Sequence, residues 1–164
     1  MYYDTIETPI GRIMLAGDGR SLQHVGLPEA RRPMTIPAGW VREPSRLAES
    51  ARQFSAYFSG DLMDFDLPLD ATGTAFQKQV WKALVEIPYG TTISYAELAR
   101  RIDNPKASRA VGLANGANPL AIVVPCHRVI GANGSMTGYG GGLSAKRFLL
   151  DHEIRHAKST DRSI

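Results

Sequence analysis

Pro125-Cys126-His127-Arg128-Val129 sets a thiol directly before an imidazole and a guanidinium, and that thiol is the only one in the chain. A lone cysteine is commonly just a small buried hydrophobe. Here both neighbours favour the thiolate, which is the nucleophilic form. With one cysteine the chain can form neither an internal disulfide nor a multi-cysteine zinc site. A single thiol suits an acceptor that is modified once better than one that cycles through oxidation. An imidazole used as a base needs a third group to hold its ring and tautomer. Asp151 and Glu153, at the end of the last predicted helix, are the carboxylates within reach of a compact site, and the residues alone do not choose between them. The apolar run Ala121-Ile122-Val123-Val124 before the cysteine reads as a strand. Strand neighbours point to opposite faces. His127 is therefore expected to reach the thiol through an ordered water, unless the strand ends at Cys126.

The rest of the chain must position this pentapeptide. The 164 residues are 43% hydrophobic and 21% charged, ordinary for a globular protein of one or two small domains. No apolar run approaches a membrane span. The start of the chain lacks the basic and apolar regions of a secretion signal. With a single cysteine, this points to a reducing cytoplasm. The net charge of +3 hides an asymmetry: residues 1–73 hold seven Lys/Arg against ten Asp/Glu, and residues 74–164 hold twelve against six. The thiol lies in the basic half, which points to an anionic partner, nucleic acid.

Short strands are predicted at 3–6, 11–16 and 22–25, broken by Thr8-Pro9 and Gly17-Asp18-Gly19. A Pro- and Arg-rich loop follows over 28–45. An amphipathic helix is predicted from Arg46 to Phe58, with Leu47, Ala51, Phe54 and Phe58 inward and Gly60 as its stop. Residues 61–73 fit either a strand or a linker. The charge sign changes just after them, so the boundary is expected there: a support domain over 1–70 and a second domain over 71–164. Thr74 to Gln77 is a capping-box pattern opening a helix to about Glu86, and Ser94 to Glu97 opens another to about Ile102. A turn at 103–106 leads to a helix over 107–116, which outlines a helix-turn-helix.

That third helix is built mostly of small residues. Ser108, Arg109 and Asn115 are its hydrogen-bonding side chains, too few for reading base edges. A small-residue surface suits either close approach to a DNA backbone or tight packing in the core. After the cysteine come a short strand at 128–130, a turn at 131–134 and the glycine-rich run 137–142, which lacks the GK[ST] ending of a phosphate loop. A last helix is predicted over 143–153, with a poorly ordered tail from His156.

The pentapeptide resembles the active-site motif of the O6-alkylguanine-DNA alkyltransferases (methylated-DNA–protein-cysteine methyltransferases). Phe76-Gln77-Lys78-Gln79-Val80-Trp81, Ile87-Pro88-Tyr89-Gly90, Ser94-Tyr95, Ala110-Val111-Gly112, Asn118-Pro119, Tyr139-Gly140-Gly141-Gly142 and Leu149-Leu150 match that family in order and spacing. The likeness is strong over 72–153 and weaker over 1–70. It implies an α/β (α+β) chain, with a small N-terminal antiparallel sheet and helix of ribonuclease H-like or ferredoxin-like type and a C-terminal winged helix-turn-helix domain. It further implies irreversible transfer of an alkyl group from guanine O6, and thymine O4, to Cys126 after base flipping. No cofactor or metal is implied. The expected partner is duplex DNA carrying O6-alkylguanine, bound without sequence preference by a monomer, with clustering on DNA left open.

The resemblance also implies roles. His127 is the water-mediated base and Glu153 orients it. Asn118 bonds near the thiol. Tyr95 approaches guanine N3 and crowds the DNA backbone. Carbonyls of Cys126 and Val129 face the guanine amino group, the Gly140 N–H faces O6, and Tyr139 belongs to the same pocket. Arg109 fills the vacated stack, and Ser108, Ala110, Asn115 and Arg128 are further DNA-contact candidates. Ala121 stands where some relatives have proline, and Gly140 where some have serine. Two other classes fit parts of the pattern: a winged-helix regulator with Cys126 as a sensor, and a Cys-His hydrolase.

Overall fold

A computed structural model describes residues 1–28, 35–134 and 142–162. The chain begins with β1 (Tyr2–Thr8), β2 (Gly11–Gly17) and β3 (Leu22–Gly26), an antiparallel meander, and β4 (Val41–Arg42) adds alongside β1 in parallel, giving the order β3-β2-β1-β4. The β1–β2 turn is set by Thr8, whose hydroxyl donates to the Gly11 carbonyl at 2.7 Å and accepts from the Ile10 N–H at 3.2 Å. β4 lies inside the segment expected to be loop. Its two residues carry no hydrophobic alternation to announce them. They are held by backbone bonds from Val41 to Met1 and from Glu43 to Tyr3, both 3.0 Å.

A 3-10 turn (Pro44–Leu47) leads into α1 (Ala48–Ser59), so the α-helix proper begins two residues later than expected. It ends at Gly60, whose left-handed φ of +87° closes the helix. A Cβ at Gly60 would lie 2.1 Å from the His156 ring, so the end of α1 is sealed by the C-terminal helix. Leu47 and Phe54 point inward as expected, whereas Ala51 and Phe58 are only half-buried and Gln53 and Tyr57 take the interior positions. Gln53 exchanges two hydrogen bonds with the Asp66 backbone, at 2.9 and 2.8 Å, which pins the segment after the helix. That segment is a linker stitched to the open edge of β3: Leu22 N–H donates to Pro68 at 2.8 Å and Asp70 N–H to Leu22 at 3.0 Å. The same edge receives the second half of the chain, where Val25 N–H donates to Pro119 at 2.8 Å. An otherwise unpaired sheet edge thus becomes the seam of the molecule.

The second half contains α2 (Ala75–Val85), β5 (Ile93–Ser94), α3 (Tyr95–Arg101), α4 (Ser108–Gly116), a 3-10 turn (Cys126–Arg128), β6 (Val129–Ile130) and α5 (Leu143–Arg162). Thr74 and Gln77 form the reciprocal capping box at 3.1 and 2.9 Å. Ser94 caps α3 by accepting the Glu97 N–H at 3.1 Å. Val80, Leu84, Leu98, Val111 and Leu149 meet in a fully buried core, each worth about 1.5–3 kcal/mol of burial. Trp81 donates its indole N–H to the Ala114 carbonyl at 2.8 Å and locks α2 against α4. On α4, Val111 and Ala114 pack inward, as expected for tight core packing, while Ala110 and Gly116 stay exposed.

Two expectations are corrected. Residues 121–124 are not an extended strand. Val124 N–H returns to Leu120 at 2.9 Å and Cys126 N–H to Val124 at 2.8 Å, and Ile122 sits at φ +75°. That angle is costly for a β-branched residue. A buried apolar run looks the same in sequence whether it extends or turns. The last helix is also longer than expected: α5 continues to Arg162, nine residues beyond the expected stop, and His156 on it packs against the end of α1. No described helix is long and apolar enough to cross a membrane.

Candidate active site

Cys126, His127 and Arg128 form the 3-10 turn, and all three are buried. Because the backbone turns here, the alternation expected of a strand does not set where their side chains go. The turn is gripped from several directions. β6 pairs with β5 in parallel, Ile93 with Val129 and Ser94 with Ile130, which brings Tyr95 at the start of α3 beside the cysteine. Asn118 donates to the Val124 carbonyl at 2.8 Å and accepts the Leu120 N–H at 2.9 Å, bracing the bend before the thiol. Asn115 donates to the Cys126 carbonyl at 3.3 Å. From α5, Lys146 donates to the Val129 carbonyl at 2.7 Å.

Glu153, not the exposed Asp151, is the carboxylate at the imidazole. Its Oε2 lies 2.7 Å from His127 Nε2, 2.7 Å from the Tyr57 hydroxyl and 3.0 Å from Arg128 Nη2, and its Oε1 accepts Arg128 Nε at 2.8 Å. Arg128 Nη1 goes to the Ile87 carbonyl at 2.6 Å. Burial alone would push the Glu153 carboxyl up. The contact with His127 and the Arg128 guanidinium outweigh it and hold the group well below the usual carboxylate range. The ionised carboxylate can only accept, so His127 Nε2 must carry the hydrogen. Nδ1 is then a lone pair, and it is buried with no hydrogen-bond partner among the described residues. Full burial lowers the imidazole's proton affinity, Glu153 opposes this, and Arg128 and Lys146 add to the lowering. The product is a neutral, oriented imidazole next to a thiol, able to take one proton.

Other shifts map the same field. Burial and then the Cys126 charge raise the Tyr95 phenol, while a hydrogen bond from Asn115 lowers it. Burial depresses the Lys146 ammonium, and the nearby thiol opposes that. Tyr89, under the Arg128 guanidinium at 5.6 Å, is pushed up to about 12 by burial and by Glu153.

Outside the turn, Arg109 and Ala110 are exposed on α4, and Ser108 is half-buried at its start. Asn115 and Arg128 are corrected as DNA-contact candidates. Both are buried and spend their donors inside the protein, so neither offers a side chain to a phosphate. Tyr139 and Gly140 lie outside the described residues. Two site residues escaped the sequence reading. Tyr57 is three residues from Phe54 on the inward face of α1, a spacing that could have revealed it. Lys146 lies seven residues before Glu153, two turns away on the same face of α5.

Comparison with known proteins agrees along the whole chain. Residues 75–155 match the family described as 6-O-methylguanine DNA methyltransferase, DNA binding domain, and residues 1–71 match its ribonuclease-like domain. A methylated-DNA–protein-cysteine methyltransferase of Methanosarcina acetivorans is 55% identical over 153 residues, covering 93% of this chain and 98% of the relative. One of Mycobacterium bovis is 51% identical over 157 residues, covering 96% of this chain and 94% of the relative. The structure of the Mycobacterium tuberculosis protein OGT in complex with DNA superposes with a TM-score of 0.89 at 51% identity, over 95% of this chain and 94% of that one. The buried Cys-His-Glu arrangement and these likenesses agree: the chain belongs to the 6-O-methylguanine DNA methyltransferase family, the methylated-DNA–protein-cysteine methyltransferases that repair DNA by alkyl transfer.

Proposed function

We propose that Cys126 is the alkyl acceptor and that each molecule acts once, on guanine O6 and also thymine O4, after rotating the nucleotide out of duplex DNA. The observation that carries this reading is a neutral, buried His127, next to Cys126 in the same turn, whose Nε2 is tied to Glu153 at 2.7 Å so that Nδ1 is the nitrogen left to accept a proton. The thiol proton passes through one water to Nδ1. The thiolate sulfur then bonds to the alkyl carbon as the carbon–O6 bond breaks. The electron pair stays on the base, which takes up one proton and leaves as guanine. A thioether is not a leaving group under these conditions, so the protein is consumed. The step needs no cofactor or metal, since nucleophile, base and leaving group are all present in protein and DNA.

In this reading Tyr95 directs its hydroxyl to guanine N3, and the carbonyls of Cys126 and Val129 receive the amino group. The Val129 carbonyl already accepts from Lys146, but a carbonyl oxygen has a second lone pair. The family resemblance assigns the Gly140 N–H to O6 and Tyr139 to the same pocket. Arg109 replaces the flipped base in the stack, with Ser108 and Ala110 against the DNA backbone. Bound DNA is held mainly through phosphates, independently of sequence. The chain works as a monomer in the cytoplasm, with residues 1–70 as a supporting domain and 71–164 as the domain of chemistry and DNA binding.

Intact-protein mass after incubation with O6-methylguanine duplex tests this. The expected result is one added methyl group per molecule, mapped to Cys126, with no transfer by Cys126→Ser. Release of free alkyl product over many turnovers would instead indicate a hydrolase.

A further inference from the structure

The buried Glu153 carboxylate, already bonded by His127 and Arg128, also has a partner from the first half of the chain. The Tyr57 hydroxyl, fully buried on α1, sits 2.7 Å from the same Oε2 that binds His127. Tyr57 belongs to the first half of the chain, 96 residues from Glu153 in sequence. Its position is over-determined. His152 Nε2 bonds the Tyr57 carbonyl at 2.7 Å, and the phenol ring packs edge-on to Tyr89 at 6.2 Å and to Phe58 at 5.2 Å.

We propose that Tyr57 is a positioning residue for the His127–Glu153 pair. Its hydroxyl shares Oε2 with the imidazole and so limits how strongly the carboxylate raises the proton affinity of His127. This rests on the reading that Cys126 is alkylated with His127 as base. The phenol must be the donor, because an ionised carboxylate can only accept. Burial, then the Glu153 charge, raise the Tyr57 phenol well above its ordinary range, so it remains a donor wherever the protein is folded. Each donor added to Oε2 disperses its charge, which weakens its pull on the neighbouring imidazolium.

Other charged or titratable groups among the described residues also surround this carboxylate. Arg128 faces it from the cysteine turn, Tyr89 from the segment after α2, and His152 adjoins it on α5. Lys146 acts on His127 from the preceding turns of α5. All of these stay in place when only the Tyr57 oxygen is removed, and so does the ring that fills the core. The supporting half of the chain thereby sets the base strength of the catalytic half.

The test is single-turnover alkylation of Cys126 by free O6-benzylguanine across about pH 5 to 9, in wild type, Tyr57→Phe and Phe54→Leu. Phe54 is fully buried on the same helix, so its variant reports mere loosening of α1. Removing the hydroxyl should strengthen the imidazole as a base, so that it is protonated at higher pH, and move the acid limb of the rate profile up by about half a pH unit. Phe54→Leu should lower the melting temperature and leave the limb where it is. Site-specific 3-fluorotyrosine at position 57, a stronger donor of nearly the same shape, should move the limb the other way. An acid limb that Tyr57→Phe leaves unmoved, shifts downward or shifts no more than Phe54→Leu does overturns the proposal. If wild-type Cys126 gains no alkyl mass at all, the reading of the reaction fails first, whatever Tyr57 does.

Discussion

Helices α4 and α5 break the ordinary rule of burial in opposite directions. On α5, Lys146 and Glu153 are 0% and 1% exposed and His152 is 3% exposed, while on α4 Leu113 is 74% exposed. Charged groups usually face water and large aliphatic ones avoid it. On α5 the inversion is compensated group by group. Lys146 bonds Val129, Glu153 accepts from His127, Arg128 and Tyr57, and His152 bonds the Tyr57 carbonyl. On α4 the inversion is left open to solvent beside Arg109 and Ala110. The contrast separates two jobs. The buried charges prepare one reactive group, and the exposed, small and apolar surface suits contact with a second molecule.

The sharpest way to break the interior side is Glu153→Ala. It strands Arg128 without its carboxylate and leaves the Tyr57 hydroxyl unmatched. Losing one partner of a buried ion pair costs about 3–5 kcal/mol, read by urea unfolding, and alkyl transfer should fall with it. A smaller loss is expected from Lys146→Met, which keeps the stem but leaves the buried Val129 carbonyl without its donor, about 1–3 kcal/mol. It also removes a cation that lowers the proton affinity of His127, so the acid limb of the rate profile should move up, in the same direction as for Tyr57→Phe.

The interior also sets a pH dependence. His127 titrates below its ordinary 6.5 when folded, so below pH 6.5 the unfolded chain binds more protons than the native one. Stability is therefore full above that pH and declines as pH falls. Glu153 acts in the same direction: its contribution is present above its ordinary 4.5 and is lost as pH falls toward its depressed folded value. Melting temperature should drop steadily on acidification, and His127→Gln should flatten the part just below 6.5. His24 and His152 are also depressed by burial, so the flattening is partial.

The exterior side should respond without any change in fold. Arg109→Ala should reduce repair of duplex O6-methylguanine on the order of tenfold, comparable to losing one stacked partner, and spare reaction with free O6-benzylguanine. Leu113→Ser should change stability by no more than about 0.5 kcal/mol and weaken duplex binding alone, measured by fluorescence anisotropy. Equal losses on duplex and free base would erase the distinction between the two helices.

The sequence by itself determined whatever depends on local pattern. Thr74 and Gln77 announce a helix start because a capping box satisfies two backbone donors with two side chains. The strand–turn rhythm of the first 26 residues and the helix-turn-helix outline are legible for the same reason. Cys126 and His127 stood out because thiol, imidazole and guanidinium adjoin in one pentapeptide. Tertiary structure alone decided what long-range packing supplies. It chose Glu153 over Asp151 by burying one and exposing the other, and turned Arg128 inward to that carboxylate. It bent residues 121–124 into a turn that an apolar run does not specify. It also carried Tyr57 across 96 residues to the carboxylate. A hydroxyl on an apolar helix face has no local signature of its partner. The partner exists only once burial removes water and leaves one acceptor within reach.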